Sequence, residues 1–273
     1  MEIMDISQWK EDLNKQISGT REKYWVIEPN TSQEYMFKIP TENTGEAWAE
    51  KVSSEIGKLL GLSIMEVHLA VRQNIHGVLA KKFTTGTEEL YEGGDLITTV
   101  VEDFNRYKLD NYSFENISKA LAELQLDKDF IVIPIFDALI GNQDRHCDNW
   151  GIIATRTDYR LAPIYDNGAS LGFQLKEERI KMMFKDQKMF EAFTNRSYSL
   201  IGIGSKRKPK YLELLTFIRG QYSKQVDEAV DCLSMLNANN IQKILDTIPT
   251  SSMNDIYKEW VLKLLLFPKR LDY

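Results

Sequence analysis

Sulfur and imidazole are scarce in this chain. Two cysteines, Cys147 and Cys232, and three histidines, His68, His76 and His146, are spread over 273 residues. They form neither a disulfide framework nor a zinc-ligand pattern, and a reducing, cytoplasmic setting is expected. Long apolar runs are also missing. Residues 130–140 and 260–267 are the longest, well below the roughly 20 residues of a bilayer span, so no membrane span is expected. The opening MEIMDISQWKED lacks the basic-then-apolar order of a secretory signal. A basic excess is missing too: the net charge is −6, which argues against direct nucleic-acid binding. One basic cluster, KRKPK at 206–210, reads as a solvated loop.

What is present divides in two. Residues 24–28 and 34–39 are aromatic and β-branched runs around the turn-rich PNTSQ, a hairpin signal. Residues 44–60 place Trp48, Val52, Ile56 and Leu59 at helical spacing, with Gly61 as a stop. Strands are expected at 65–72 and 77–83, with a turn at 74–77. Helices follow at 95–104, 113–123 and 129–139, then a short hairpin at 151–155 and 159–162. Beyond Gly172 the pattern is helical again at 178–193, 211–219, 225–236, 238–248 and 254–266. The expected fold is α+β and two-lobed: a small β-rich N-lobe over residues 1–83 and a larger helical C-lobe over 84–273, with a cleft between them.

The chemistry concentrates in two runs, IFDALIGNQDRHCDNWGII at 135–153 and RLAPIYDNGASLG at 160–172. Asp144 and Asn149 lie five residues apart, and Asp166 ends an apolar run before Asn-Gly. One carboxylate to take or orient a hydroxyl proton, with an amide oxygen and a second carboxylate to hold magnesium, is what a phosphotransferase needs beside a nucleotide. Oxygen donors with one amide suit magnesium better than zinc. Asp148 reads as a loop acid, and Cys147 has no thiol chemistry around it. Lys38, in the apolar strand YMFKIP, either snorkels at a sheet edge or points into the cleft. The turn SGTREK at 18–23 could cradle phosphates through its backbone amides, although it does not match the P-loop pattern. Glu50 and Glu55 are candidate partners for Lys38, and the helical stripe favours Glu55.

In this order, SGTREKYWV, YMFKIP, AEKVSSEIGKLLGL, GNQDRHCDNWGI and LAPIYDNG, the chain resembles the HipA-like serine/threonine kinases of bacteria, and in particular compact members without the extra N-terminal region of HipA. The resemblance implies an ATP- and Mg2+-dependent serine/threonine protein kinase with Asp144 as the catalytic aspartate and Lys38 on the nucleotide phosphates. Asn149 and Asp166 would hold magnesium. Gly19, Thr20, Arg21 and Lys23 would form the phosphate-binding loop, with Ser18 or Thr20 autophosphorylated. Lys81 and Phe83 would bracket the hinge that contacts adenine, and Glu50 would take the helix-acid position. The family also implies a protein substrate, an antitoxin or other regulatory partner, and a toxin or effector role. HipA has a small residue where this chain has Arg145, and Asp-Arg-His before an asparagine is also how phosphatidylinositol 3/4-kinases write their loop. Those enzymes continue with Asp-Phe-Gly, and this chain with Asp166-Asn167-Gly168. A lipid or small-molecule kinase, or a non-enzymatic nucleotide-binding regulator, are the alternatives.

Overall fold

The computed structural model describes residues 2–13 and 22–267. Six strands form the first sheet: β1 Met4–Asp5, β2 Lys10–Glu11, β3 Lys23–Ile27, β4 Glu34–Lys38, β5 Val67–Arg72 and β6 Ile75–Lys81. Their order is β1-β5-β6-β4-β3-β2, with β1 parallel to β5 and the other pairs antiparallel. The turn between β5 and β6 is Gln73-Asn74 rather than 74–77. Both residues take positive φ, 49° and 67°, as a tight two-residue hairpin requires, so β6 starts at Ile75. β1 and β2 were not expected; each is only two residues long, too short for a periodic signal.

Strand alternation gives the sheet two different faces. Val26, Tyr35, Phe37, Ala70 and Leu79 pack under Ile6 and Trp9 of the N-terminal segment. On the opposite face, Val67, Val78 and Ala80 are buried with Met65 against Met36, Ala47, Phe83 and Tyr165. Lys38 shares the parity of Met36, and the β3–β4 register places Lys23 directly opposite it. Gly77 sits inside β6, where an added Cβ would meet the Lys38 carbonyl oxygen at 2.5 Å and the Phe37 ring at 2.7 Å. Replacing Gly77 with Ala should push β4 outward and destabilise the fold by about 1–3 kcal/mol. Urea denaturation reads this directly, and an unchanged midpoint would contradict it.

Helix α1, Glu46–Leu59, crosses between this sheet and the helical part of the chain. It is buried nearly all round, and Glu46, Glu50, Lys51, Ser53 and Ser54 lie inside along with Trp48, Val52 and Ile56. Met65 donates its N–H to the Ile164 carbonyl at 2.9 Å, and Ile164 donates to Ser63 at 2.8 Å, stitching the two halves together.

A second sheet is built from β7 Glu89–Glu92, β8 Gly151–Ala154 and β9 Tyr159–Leu161, all antiparallel. The hairpin β8–β9 was expected; the polar edge strand β7 was not. The expected helix at 95–104 is only α2, Gly93–Thr98, started by the reciprocal Glu92–Asp95 capping box. Further along are α3 Phe114–Ala122 and α4 Val132–Ile140, the latter entered through a 3₁₀ turn at Asp129–Ile131. The expected helix at 178–193 is two, α5 Glu177–Lys185 and α6 Gln187–Thr194, because the Asp186 side chain accepts from the Met189 N–H and caps a new start. α7 Tyr211–Gln221, α8 Ser223–Asp231, α9 Ala238–Thr247 and α10 Asp255–Leu265 complete the chain's regular structure. The main apolar core lies among these helices and reaches α1 through Trp48, Val52 and Ile56. Among the described residues no helix is long and apolar enough to cross a membrane.

Candidate active site

Asp144 is held by the end of α4. Gly141 terminates that helix in the left-handed conformation, φ 65°, a geometry that favours glycine. Asn142, fully buried, then donates its side-chain amide to Asp137 Oδ1 at 3.0 Å and accepts the Asp144 N–H at 3.0 Å. The Asp144 side chain is left at the surface, in a loop whose own carbonyl takes the His146 N–H at 2.8 Å and the Asn149 Nδ2 at 2.7 Å. With its amide nitrogen committed to the loop, Asn149 has its Oδ1 to offer a ligand.

The second loop brings Asp166 to Lys38. The Lys38 Nζ donates to Asp166 Oδ1 at 3.1 Å across 128 residues of sequence. Lys38 holds the Asp166 carboxyl below its ordinary range; burial opposes this, and Lys23 and Arg145 add to the lowering. Asp166 itself has φ 59°, an uncommon backbone state outside glycine, which marks a position held by its surroundings. Because the folded-state value is depressed, Asp166 contributes stability above its unfolded value of about 3.9 that is lost as pH falls through the folded value. Acid titration of urea stability should therefore fall further for the wild type than for Asp166→Asn; parallel profiles would contradict the ion pair.

Of the two candidate helix acids, α1 turns Glu50 towards this pair and Glu55 away. Glu55 takes Lys51 at 2.7 Å and Lys58 at 3.0 Å, so the helical-stripe expectation for Glu55 is corrected. Glu50 is 4% exposed, and burial raises its pKa, with the Asp166 charge adding and Lys38 and the amides of Asn167 and Gly168 opposing. Its Oε1 is buried without a hydrogen-bond partner. A desolvated carboxylate oxygen beside a lysine and an aspartate is costly in a resting fold and suits a site that takes up a cationic ligand.

Arg145, which sequence reasoning left as a neighbour of Asp144, joins the two loops. It is fully buried and forks onto Asp137, Nε to Oδ2 at 2.9 Å and Nη2 to Oδ1 at 2.6 Å. Its Nη1 donates to the carbonyls of Asn149 and Tyr165, both at 2.6 Å, and Nη2 to Asn167 Oδ1 at 2.7 Å. One guanidinium thus fixes the Asn149 end of one loop against the Asp166 end of the other. The available signal was Asp137, an acid within the apolar run IVIPIFDALI that needs a buried partner.

A second network braces the far side of the Asp144 loop. Arg106 donates to Glu92 at 3.0 Å and to Asp148 at 2.9 Å, and also pairs with Asp95. His146 and Asp148 approach within 3.4 Å, and this contact raises the imidazole pKa. His146, Cys147 and Asp148 lie together; burial pushes the Cys147 thiol up and Arg106 pairs with Asp148, so the trio is tied into the brace.

At the end of β6, Lys81 pairs with Glu66 at 3.0 Å and Lys82 with Glu34 at 2.5 Å, while the Phe83 ring lies 5.7 Å from that of Tyr165. The apolar face of Val67, Val78 and Ala80 ends here. Ser18, Gly19, Thr20 and Arg21 lie outside the described residues. Lys23 is within electrostatic reach of Asp166. Beside Asp144 opens a cleft of about 560 Å³ that extends to Ala169, Phe173 and Tyr198.

The HipA-like C-terminal domain family matches residues 15–235, most of the chain and all of this site. The chain belongs to that family. It is 27% identical over 252 residues to the serine/threonine-protein kinase CtkA of Helicobacter pylori strain J99, covering 85% of this chain and 74% of that protein. The crystal structure of the H. pylori proinflammatory kinase CtkA superposes with a TM-score of 0.82 at 25% identity, over 98% of this chain and 94% of that one. Together these identify the two-lobed α+β fold as that of a compact HipA-like kinase and support a kinase of the HipA type. A Shewanella oneidensis HipA, solved with HipB and operator DNA, shares the fold at TM-score 0.60 and 13% identity, over 92% of this chain and 64% of that one.

Proposed function

We propose that this protein is an ATP- and magnesium-dependent serine/threonine protein kinase that phosphorylates itself and a protein substrate. The observation that supports the reading is that Lys38 pairs with Asp166 beside the buried Glu50, while Arg145 ties the Asp166 loop to the loop that carries Asp144 and Asn149. The donor set fits the ligands. Asp166 and the Asn149 Oδ1 are hard oxygen donors suited to magnesium, and the unpartnered Glu50 Oε1 marks a site short of positive charge. When bound, ATP supplies the γ-phosphoryl group and magnesium offsets its charge. Lys38 neutralises phosphate oxygens, with Lys23 opposite it in the sheet and residues 19–21 as the proposed phosphate-binding segment. The apolar face of Val67, Val78 and Ala80, bounded by Lys81 and Phe83, receives the adenine. Asp144 accepts the proton of the acceptor hydroxyl, and Arg145 holds the two loops in register.

Ser18 and Thr20, in the segment before β3, are the proposed autophosphorylation sites. A toxin or effector role, with an antitoxin-type partner such as HipB is for HipA in the Shewanella complex, fits the family. The test of the site is calorimetric titration with ATP, with magnesium and with EDTA. Binding that requires magnesium and weakens in Lys38→Ala and Asp166→Asn is expected; no binding by the wild type would overturn the kinase reading.

A further inference from the structure

The cleft beside Asp144 carries a chemical pattern of its own. At about 560 Å³ it lies within the size range of ligand sites. Among the described residues that line it, Asp144 is the single charged one. Gln143, Gln174 and Ser197 supply neutral donors and acceptors, and Phe173, Leu175, Phe193 and Leu264 an apolar wall. That wall is firmly backed: the Phe193 ring packs 5.4 Å from Trp260, whose indole N–H is bonded to the Leu171 carbonyl at 2.9 Å. Three residues of the nearby basic cluster are engaged by neighbouring groups. Lys206 pairs with Glu213, Arg207 with Asp110, and Lys208 lies over the Tyr198 ring at 5.4 Å.

A phosphorylated lipid headgroup or another anionic acceptor needs cations around it, and among the described residues the lining offers none. Side-chain amides both donate and accept, which matches the alternating N–H and C=O groups of an extended polypeptide, and an apolar wall suits one of its side chains. We propose that this cleft is the acceptor site and that it selects a serine or threonine in an extended polypeptide with an apolar residue beside it, rejecting acceptors with a neighbouring negative charge. This rests on the kinase reading above. In the transfer, the acceptor hydroxyl oxygen bonds to the γ-phosphorus of ATP, the bond from that phosphorus to the β–γ bridging oxygen breaks, and ADP leaves. The hydroxyl proton passes to the Asp144 carboxylate and then to solvent. An acid beside the acceptor would lie against both Asp144 and the phosphates.

The test uses the full chain with ATP and magnesium on synthetic peptides that differ only in the residue beside serine: leucine, arginine or glutamate. Phosphatidylinositol in phosphatidylcholine vesicles is the parallel acceptor. The leucine peptide is expected to exceed the glutamate peptide in kcat/KM by about tenfold, with no phosphate on the vesicles. Gln174→Arg, at the exposed lip, is expected to raise the glutamate-to-leucine ratio roughly fivefold, a change that a merely structural effect would not produce. ATP consumption without acceptor separates the failures. Turnover of ATP with equal use of the three peptides, or with transfer to the vesicles, overturns the acceptor-site inference alone. Neither turnover nor transfer overturns the kinase reading, and the inference with it.

Discussion

Asp144→Asn is expected to lower the rate of phosphoryl transfer by about a hundred- to ten-thousand-fold, the range assigned to a positioned general base. ATP affinity should stay near the wild-type value. The separation follows from where the side chain sits. Asp144 projects at the surface into the cleft of about 560 Å³, whereas Asp166, Lys38 and Glu50 form a separate cluster that does not line it. The loop is held through the backbone of residue 144, by Asn142 and by the Asn149 amide, so exchanging the carboxylate for an amide leaves those bonds in place. Single-turnover transfer beside nucleotide titration measures both halves. A variant with near-normal transfer would remove Asp144 from the chemistry.

Arg145→Met has the second large effect, and it acts on the fold and the site together. It leaves Asp137, 1% exposed, charged and without its fork, and breaking a buried pair in this way costs about 3–5 kcal/mol. It also removes the donors that join Asn149 to Tyr165 and Asn167. The double variant Asp137→Asn with Arg145→Met separates the two consequences. Stability should recover in large part because no buried charge is left, while transfer should stay low because the loops have lost their common donor. Full recovery of both would reduce Arg145 to a stability element.

The sequence disclosed the ends of this arrangement better than its middle. Lys38, Asp144, Asn149 and Asp166 stand in short runs whose spacing can be read directly, and the structure brings Lys38 to Asp166. The Arg145–Asp137 pair was hidden because it depends on which side of α4 faces the loop, a tertiary fact. The helical stripe alone favoured Glu55, on the premise that α1 has one buried stripe, and it was the family resemblance that pointed to Glu50. In the fold α1 is enclosed on several sides, so an acid off the stripe is buried as well. The long helices were legible, but their joints were not: a single capping aspartate, Asp186, splits one expected helix in two. β1, β2 and β7 were missed because edge strands of two to four residues carry no periodic pattern.

The central claim is that the Lys38–Glu50–Asp166 cluster and Asp144 together transfer phosphate to a protein hydroxyl. Incubation of the full chain with γ-labelled ATP and magnesium, followed by mass spectrometry of the protein and any added polypeptide, tests it most directly. The account predicts a covalent phosphate on serine or threonine, Ser18 or Thr20 among the sites, that requires magnesium. ATP bound with no phosphorylated residue anywhere would contradict it.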